Sequence, residues 1–235
     1  MIASEFEYRH RLWMIALVFV FAYAFYNLDH LNIVYAVVPW NRDVPRSTWP
    51  GHLIYAAAAL LAGIGATILT WATAYWHAGG NRDQTQTATF LLAGPYGYVR
   101  NPHYLGHFLF LVGLGTFQSR PGFLILIGAE ALLLRVIRRE EMKLEREYGE
   151  RFREYCRRVP RLLPSLRSQI ATESQLPEWQ QALWRHTLQW GLVATLVAFA
   201  CTLSDPVGYA FASATLSFVV LQKLSQTLRI RRRDT

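Results

Sequence analysis

Uncharged apolar runs recur along this chain. Leu53–Trp76 holds 24 consecutive residues without an Asp, Glu, Lys or Arg, long enough to cross a bilayer as a helix. Leu12–Leu28, which follows Arg9 and Arg11, is a second such run. Leu183–Leu203, broken near its start by Arg185 and His186, is a third, and Val207–Leu221 is a fourth. Two shorter stretches lie in the middle, Tyr104–Phe117 with 14 residues and Phe123–Leu134 with 12. As helices they reach only about 20 Å, short of a hydrocarbon core, which predicts a hairpin packed against longer helices. Pro121-Gly122 marks a turn between its arms. The second arm meets no proline until Pro160. Its apolar or aromatic residues at 132, 133, 136, 137, 144, 148, 152 and 155 keep nearly helical spacing. That arm is therefore predicted to continue as a helix out of the membrane, with Gly149 as its weak spot.

The pattern predicts an all-α fold: a polytopic membrane helical bundle of about six membrane-embedded helices, including the short hairpin at 104–134. Three regions follow. Residues 1–52 form an N-terminal span and outer loop, 53–168 the core, and 169–235 a C-terminal pair of transmembrane helices. That pair extends a lipid-facing wall or forms a homodimer contact. No small-residue cleavage pattern closes the first run, which continues as YNLDHLNIVY, so it reads as a retained span and not a signal peptide.

Charge gives the expected orientation. The 235 residues are 52% hydrophobic and carry a formal charge of +8. With both termini cytoplasmic, only Arg42, Arg46 and Arg120 of the 24 Lys and Arg residues face outward, a strong positive-inside pattern with an even number of crossings. The basic tail RIRRRDT suits anionic lipid headgroups better than nucleic acid. Trp40 and Trp49 flank the outer loop as interfacial anchors. Two cysteines, Cys156 and Cys201, make neither a disulfide framework nor a metal knuckle.

Few residues stand out as chemistry. Glu140 and Glu141 lie where the hairpin emerges from the membrane, and a paired carboxylate there can receive hydroxyls or a cation. The plainer alternative is two more members of a charged helix, because 135–161 carries ten basic and six acidic residues. Gly94-Pro95-Tyr96 is a tight turn, and Asn101-Pro102 is a natural N-cap followed by a first-turn proline. A helix start alone does not account for Tyr96, Tyr98, Arg100, His103 and Tyr104 crowded together. His103 and His107 share a helix face, but no HExxH accompanies them, so packing or hydrogen bonding is preferred to a metal. Glu130, an acid within the hairpin, is a functional candidate by its cost in lipid. Gly63-Ile-Gly65 reads as close helix packing, and no Rossmann fingerprint or P-loop is present.

TFLLAGPYGYVRNPHYLG at 89–106, followed by REEMKLEREYGERFREYCRRVPRLLP at 139–164, resembles the isoprenylcysteine carboxyl methyltransferase and phospholipid methyltransferase superfamily. Its members are integral-membrane enzymes that use S-adenosyl-L-methionine. The matching pieces are Gly94-Pro-Tyr96, Arg100-Asn-Pro-His-Tyr104-Leu-Gly106, Glu140-Glu-Met-Lys-Leu144, Tyr148-Gly-Glu150, Tyr155 and Val159–Pro164, within roughly 55–164. The resemblance implies a methyltransferase core with a cytoplasmic cofactor site. The implied contacts are Ala88, Thr89, Phe90, Leu91, Tyr96, Asn101, Pro102, His103, Tyr104 and Glu140, and the candidate catalytic residues are Glu141, His107 and Arg139.

Carboxyl-methylating members carry an Arg four residues before the Glu pair. That position is Val136 here, with Arg135 about 100° around the helix. Asn101 also replaces the usual His. Both departures favour a lipid headgroup amine, such as phosphatidylethanolamine, as methyl acceptor. An isoprenylcysteine-like carboxylate, or a non-catalytic membrane protein that kept the fold, are the alternatives.

Overall fold

The computed structural model describes residues 4, 10–29, 31–34, 49–80, 94–170 and 176–231. Trp40, Arg42, Arg46 and the end of the basic tail at 232–235 lie outside the described residues. Every extended regular element among those described is a helix. In chain order these are α1 (Arg11–Ala24), α2 (Trp49–Gly80), α3 (Pro102–Leu114), α4 (Arg120–Tyr148), α5 (Glu150–Arg158), α6 (Trp179–Arg185), α7 (Thr187–Thr202) and α8 (Asp205–Arg231). Short 3-10 turns at Phe25–Asn27, Gly94–Gly97 and Gly115–Phe117 connect some of them.

The centre is the contact of α2 with α3, and small residues make it. A Cβ added to Gly65 would lie 2.5 Å from the Phe110 backbone nitrogen and 2.6 Å from the Gly106 carbonyl oxygen. One on Gly113 would lie 2.5 Å from the Ala58 carbonyl oxygen. The two backbones therefore touch, as membrane helices do where glycine and alanine line the crossing. Ala58, Ala59, Ala62, Ala66 and Leu69 of α2 are buried there with Phe110 and Leu114. This accounts for Gly65 as the packing residue the sequence suggested.

α7 covers another side of α2. Leu196 is fully buried against the same cluster, and the Trp190 indole donates to the Thr70 hydroxyl at 3.0 Å. At the far end Tyr55, Phe117 and Phe199 stack and abut with centroids 4.7 to 5.6 Å apart. α8 leans on α7 where Gly191 meets the Thr215 side chain. Phe218 of α8 also stacks on Trp184 and the Gln222 amide donates to the Trp184 carbonyl at 2.9 Å, while Tyr209, Phe211 and Leu221 are exposed.

Two helices are long and apolar enough to cross a membrane: Trp49–Trp76, 28 residues with mean hydropathy 2.0, and Asp205–Leu228, 24 residues with mean hydropathy 1.3. The first is 44% buried in its most apolar stretch and the second 6%, which separates a central helix from a peripheral one. The expected six spans are not all of this kind. α1 has 14 residues and α7 has 16, so each covers only about 21 to 24 Å.

The hairpin forms, with its turn moved. The reversal falls at 115–119. Ser119 is the N-cap of α4, its hydroxyl accepting from the Gly122 amide at 3.3 Å, and Pro121 stands inside the first turn. Pro121-Gly122 is thus a helix start, where a missing N–H costs nothing. The turn end of the hairpin is tied to the chain after α1: Asp29 pairs with Arg120 at 2.8 Å, and the Asn32 amide donates to the Thr116 carbonyl at 2.8 Å.

As the periodicity required, the second arm continues. α4 runs 29 residues, about 43 Å, from an apolar half into a charged one. Gly149 ends it with φ 56° and ψ −127° and starts α5, a conformation that favours glycine. After α5 the chain is extended at Val159 and turns at Pro160.

Candidate active site

The turn at 94–101 is held from three directions. Gly94 has φ 59°, and a Cβ there would lie 2.5 Å from the Tyr75 ring, so glycine is required by conformation and by space. From the segment after α5, the Arg100 amide donates to the Pro160 carbonyl at 2.8 Å, the Ser165 amide to the Tyr98 carbonyl at 3.0 Å, and the Gln169 amide to the Gly97 carbonyl at 2.9 Å. From α5 itself, the Tyr155 hydroxyl donates to the Tyr96 carbonyl at 2.9 Å. The Val-Pro ending of the sequence pattern is therefore a strap that fixes the turn.

Glu141 fastens the turn to α4. One carboxylate oxygen accepts from Asn101 Nδ2 at 3.1 Å and pairs with Arg100 Nη1 at 3.3 Å. The other accepts from Arg161 Nε at 2.9 Å and Nη2 at 2.7 Å. Asn101 does occupy the N-cap position of α3, yet its side chain makes no cap hydrogen bond. It donates instead to Glu141 and to the Arg161 carbonyl. These two donated bonds orient the carboxamide toward Glu141, and its oxygen, the acceptor an ordinary N-cap uses, does not cap the helix. Pro102 stands at the first helical position, as its fixed φ favours.

Tyr96 is buried, and its hydroxyl lies 3.1 Å from His103 Nδ1. Burial, with smaller contributions from Tyr155 and Glu140, pushes the phenol well above its ordinary value, so it stays protonated. Glu140 is thereby within electrostatic reach of Tyr96. His103 Nε2 lies 3.1 Å from the Thr73 hydroxyl, which is 2.7 Å from His186 Nε2. The Trp76 ring stands edge-on to His103 at 6.0 Å.

Of the residues singled out in the sequence, Tyr96, Asn101, Pro102, His103, Glu140 and Glu141 converge on the turn and the adjoining face of α4. Tyr104 is half-buried just beyond Asn101 on α3, and Arg139 is half-buried beside Glu140 on α4. His107 lies one turn further along α3 and within electrostatic reach of His186. Ala88, Thr89, Phe90 and Leu91 lie outside the described residues. Val136 is buried in the bundle with Ile137. Among the described residues, no group of three or more His, Cys, Asp or Glu side chains is placed to hold a metal ion.

Three participants escaped the sequence reading: Thr73, His186 and Arg161. The first two are isolated polar residues in or next to apolar runs, a signal of the same kind as Glu130. Arg161 was hidden in a segment already dense with arginine.

A phospholipid methyltransferase pattern matches residues 53–151, from α2 through the turn, both hairpin arms and the Glu pair. Residues 53–151 are thus similar to the phospholipid methyltransferase family. The family segment thus ends just inside α5, before Tyr155, Arg161 and His186. Two curated relatives are similar over a wider stretch. The nickel-cobalt-cadmium resistance protein NccN of Alcaligenes xylosoxydans xylosoxydans is 35% identical over 141 residues, covering 57% of this chain and 63% of that protein. The cobalt-zinc-cadmium resistance protein CzcN of Cupriavidus metallidurans is 28% identical over 167 residues, covering 69% of this chain and 68% of the relative. The match to NccN thus falls short of two thirds of its length. No solved structure matches the chain.

Proposed function

We propose that this protein is a membrane-embedded methyltransferase that uses S-adenosyl-L-methionine and methylates a lipid headgroup amine, phosphatidylethanolamine or a partly methylated form. The observation that carries the reading is the convergence of the Gly94–Asn101 turn and the Glu140-Glu141 pair within a phospholipid methyltransferase segment.

The residues fit the cofactor's chemistry. Arg100 Nε is buried with no hydrogen-bond partner among the described residues, a donor available to a carboxylate. Glu140 offers an acceptor for an ammonium or ribose hydroxyls, and Tyr96, His103 and Trp76 supply aromatic surface. We assign Tyr96, Arg100, Asn101, His103, Tyr104 and Glu140 to holding it, with Ala88–Leu91 and Pro102 as further walls. Bound there, the cofactor would supply an already activated methyl group, so the protein's contribution is alignment of donor and acceptor. Glu141 has both oxygens taken by Arg100, Asn101 and Arg161. Its role is to hold the turn against α4. Arg139 and His107 stand beside the site as candidates for lipid phosphate and headgroup contact.

An amine acceptor is favoured over a carboxylate by Val136. It is buried and apolar, whereas a carboxylate acceptor would call for a bidentate arginine at that position of the pattern. In this reading the bilayer supplies the acceptor, and the positive-inside pattern supports a cytoplasmic site with both termini on the same side. The names of NccN and CzcN favour a second reading, a contribution to resistance against divalent metals. Growth in cobalt, zinc and cadmium with and without this chain tests it.

The direct assay uses the full chain in nanodiscs with methyl-labelled S-adenosylmethionine. Phosphatidylethanolamine, its monomethyl form and a prenylcysteine are offered separately. Label in the phospholipids supports the reading. Label in the prenylcysteine alone reassigns the acceptor, and no heat of cofactor binding by calorimetry refutes the enzyme.

A further inference from the structure

A polar chain runs through the bundle beside the turn. Tyr96 Oη, His103 Nδ1 and Nε2, Thr73 Oγ1 and His186 Nε2 follow one another at 3.1, 3.1 and 2.7 Å. The four side chains come from the turn, α3, α2 and the joint between α6 and α7. Thr73 is 6% exposed and His186 9%, so this polarity is kept away from bulk water. Two of its members, Thr73 and His186, make no contact assigned to the cofactor, and His186 lies outside the family segment. A hydroxyl poised between two imidazoles has the donor and acceptor capacity to pass a proton in either direction. The buried phenol of Tyr96 stays protonated and so can accept and donate at once. Gln189, one turn into α7, has a buried carboxamide oxygen with no hydrogen-bond partner among the described residues.

We infer that Tyr96, His103, Thr73 and His186 form a proton relay, with His186 as its terminal base. An amine bound as its ammonium form must lose a proton before its nitrogen can act as a nucleophile. In the relay the ammonium N–H bond breaks and its proton joins the Tyr96 oxygen. The Tyr96 proton moves to His103 Nδ1, the His103 Nε2 proton to Thr73 Oγ1, and the Thr73 proton to His186 Nε2. One proton leaves the acceptor and one arrives at His186, with no change in oxidation state. The direction is set by the starting tautomer, His103 protonated on Nε2 and His186 on Nδ1. His107 on α3 near the inner end, and Tyr155 on α5 and Glu140 on α4 near the outer end, are titratable neighbours. None interrupts the chain.

The relay rests on the methyltransferase reading, and the test separates the two. Thr73→Val keeps the side-chain shape and removes the hydroxyl, whereas Thr73→Ser keeps the hydroxyl. Thr73→Val and His186→Ala are each expected to lower kcat about a hundredfold, the range of a lost acid–base group. Cofactor affinity by calorimetry stays unchanged, Thr73→Ser remains near wild type, and added imidazole restores His186→Ala in part. Independently of activity, nitrogen-15 NMR of labelled histidine in the full chain should show the His103 and His186 tautomers changing together in Thr73→Val. Absence of methyl transfer by the wild-type protein would count against the functional reading. Unchanged histidine signals in Thr73→Val, full kcat in Thr73→Val or His186→Ala, or a loss that imidazole does not relieve and that cofactor affinity follows, would overturn the relay.

Discussion

Replacing Glu141 with alanine removes the acceptor on which three side chains converge, and the structure sets the size of the effect. The Glu141 side chain is 10% exposed and that of Arg100 14%. Taking away one partner of such a pair leaves the other as a buried, uncompensated charge, a cost of about 3–5 kcal/mol. Arg161 is 44% exposed, so water screens its two contacts and they add less than about 1 kcal/mol. The Asn101 amide also loses its ionised acceptor, but it keeps the Arg161 carbonyl at 3.2 Å. Because the three share one carboxylate, their losses do not add, and about 4 kcal/mol is the expected total. For a chain of this length that lowers the thermal midpoint by roughly 10 °C. The assay is thermal unfolding in detergent, followed by size-exclusion chromatography of the fluorescently tagged protein. Arg161→Ala serves as the comparison and should move the midpoint by no more than about 3 °C. A Glu141→Ala midpoint within about 2 °C of wild type, or an Arg161→Ala loss as large as that of Glu141→Ala, would show that Glu141 does not fasten the turn.

Glu140→Gln keeps the shape beside Tyr96 and removes the charge, so cofactor affinity should fall about tenfold while the fold survives; unchanged heats of binding would remove Glu140 from the site. Gly65→Ala places a Cβ 2.5 Å from the Phe110 backbone nitrogen, and overpacking there should cost about 1–3 kcal/mol or more. Gly128→Ala, where a Cβ meets nothing within 4 Å, should instead gain up to about 1 kcal/mol; equal midpoints would refute the close crossing. Burial raises the Cys156 thiol, so the neutral form, which does not react with iodoacetamide, is favoured in the folded protein. Alkylation of Cys156 should be slower in the folded protein than in the unfolded protein at pH 8, with the gap narrowing as pH rises.

The sequence made the helical character, the hairpin and the continuation of its second arm legible, because periodicity and run length report burial directly. It made the turn and the Glu pair legible because glycine and proline mark backbone geometry that few other residues tolerate. It misplaced the hairpin reversal. Pro121-Gly122 carries the same two residues whether it turns a chain or opens a helix, and the deciding residue, Ser119, is unremarkable alone. It gave Asn101 its position but the wrong partner, since Glu141 lies 40 residues away and only folding brings it near. Thr73 and His186 are 113 residues apart, and no local spacing could have joined them. About six membrane-embedded helices were expected from four apolar runs and a short hairpin, but such a run reports composition and not helix length: Leu12–Leu28 leaves the α-helix at Ala24.

α4 has a mechanical consequence. It is clamped near its N-terminal end by Asp29 on Arg120 and near its C-terminal end by Arg100 and Arg161 on Glu141. Roughly 32 Å of unbroken helix separates the two clamps, so a tilt of about 5° around the first sweeps the second through nearly 3 Å. Bilayer thickness or lateral pressure that leans this lever would reach the turn directly, coupling the state of the surrounding lipid to the geometry of the site.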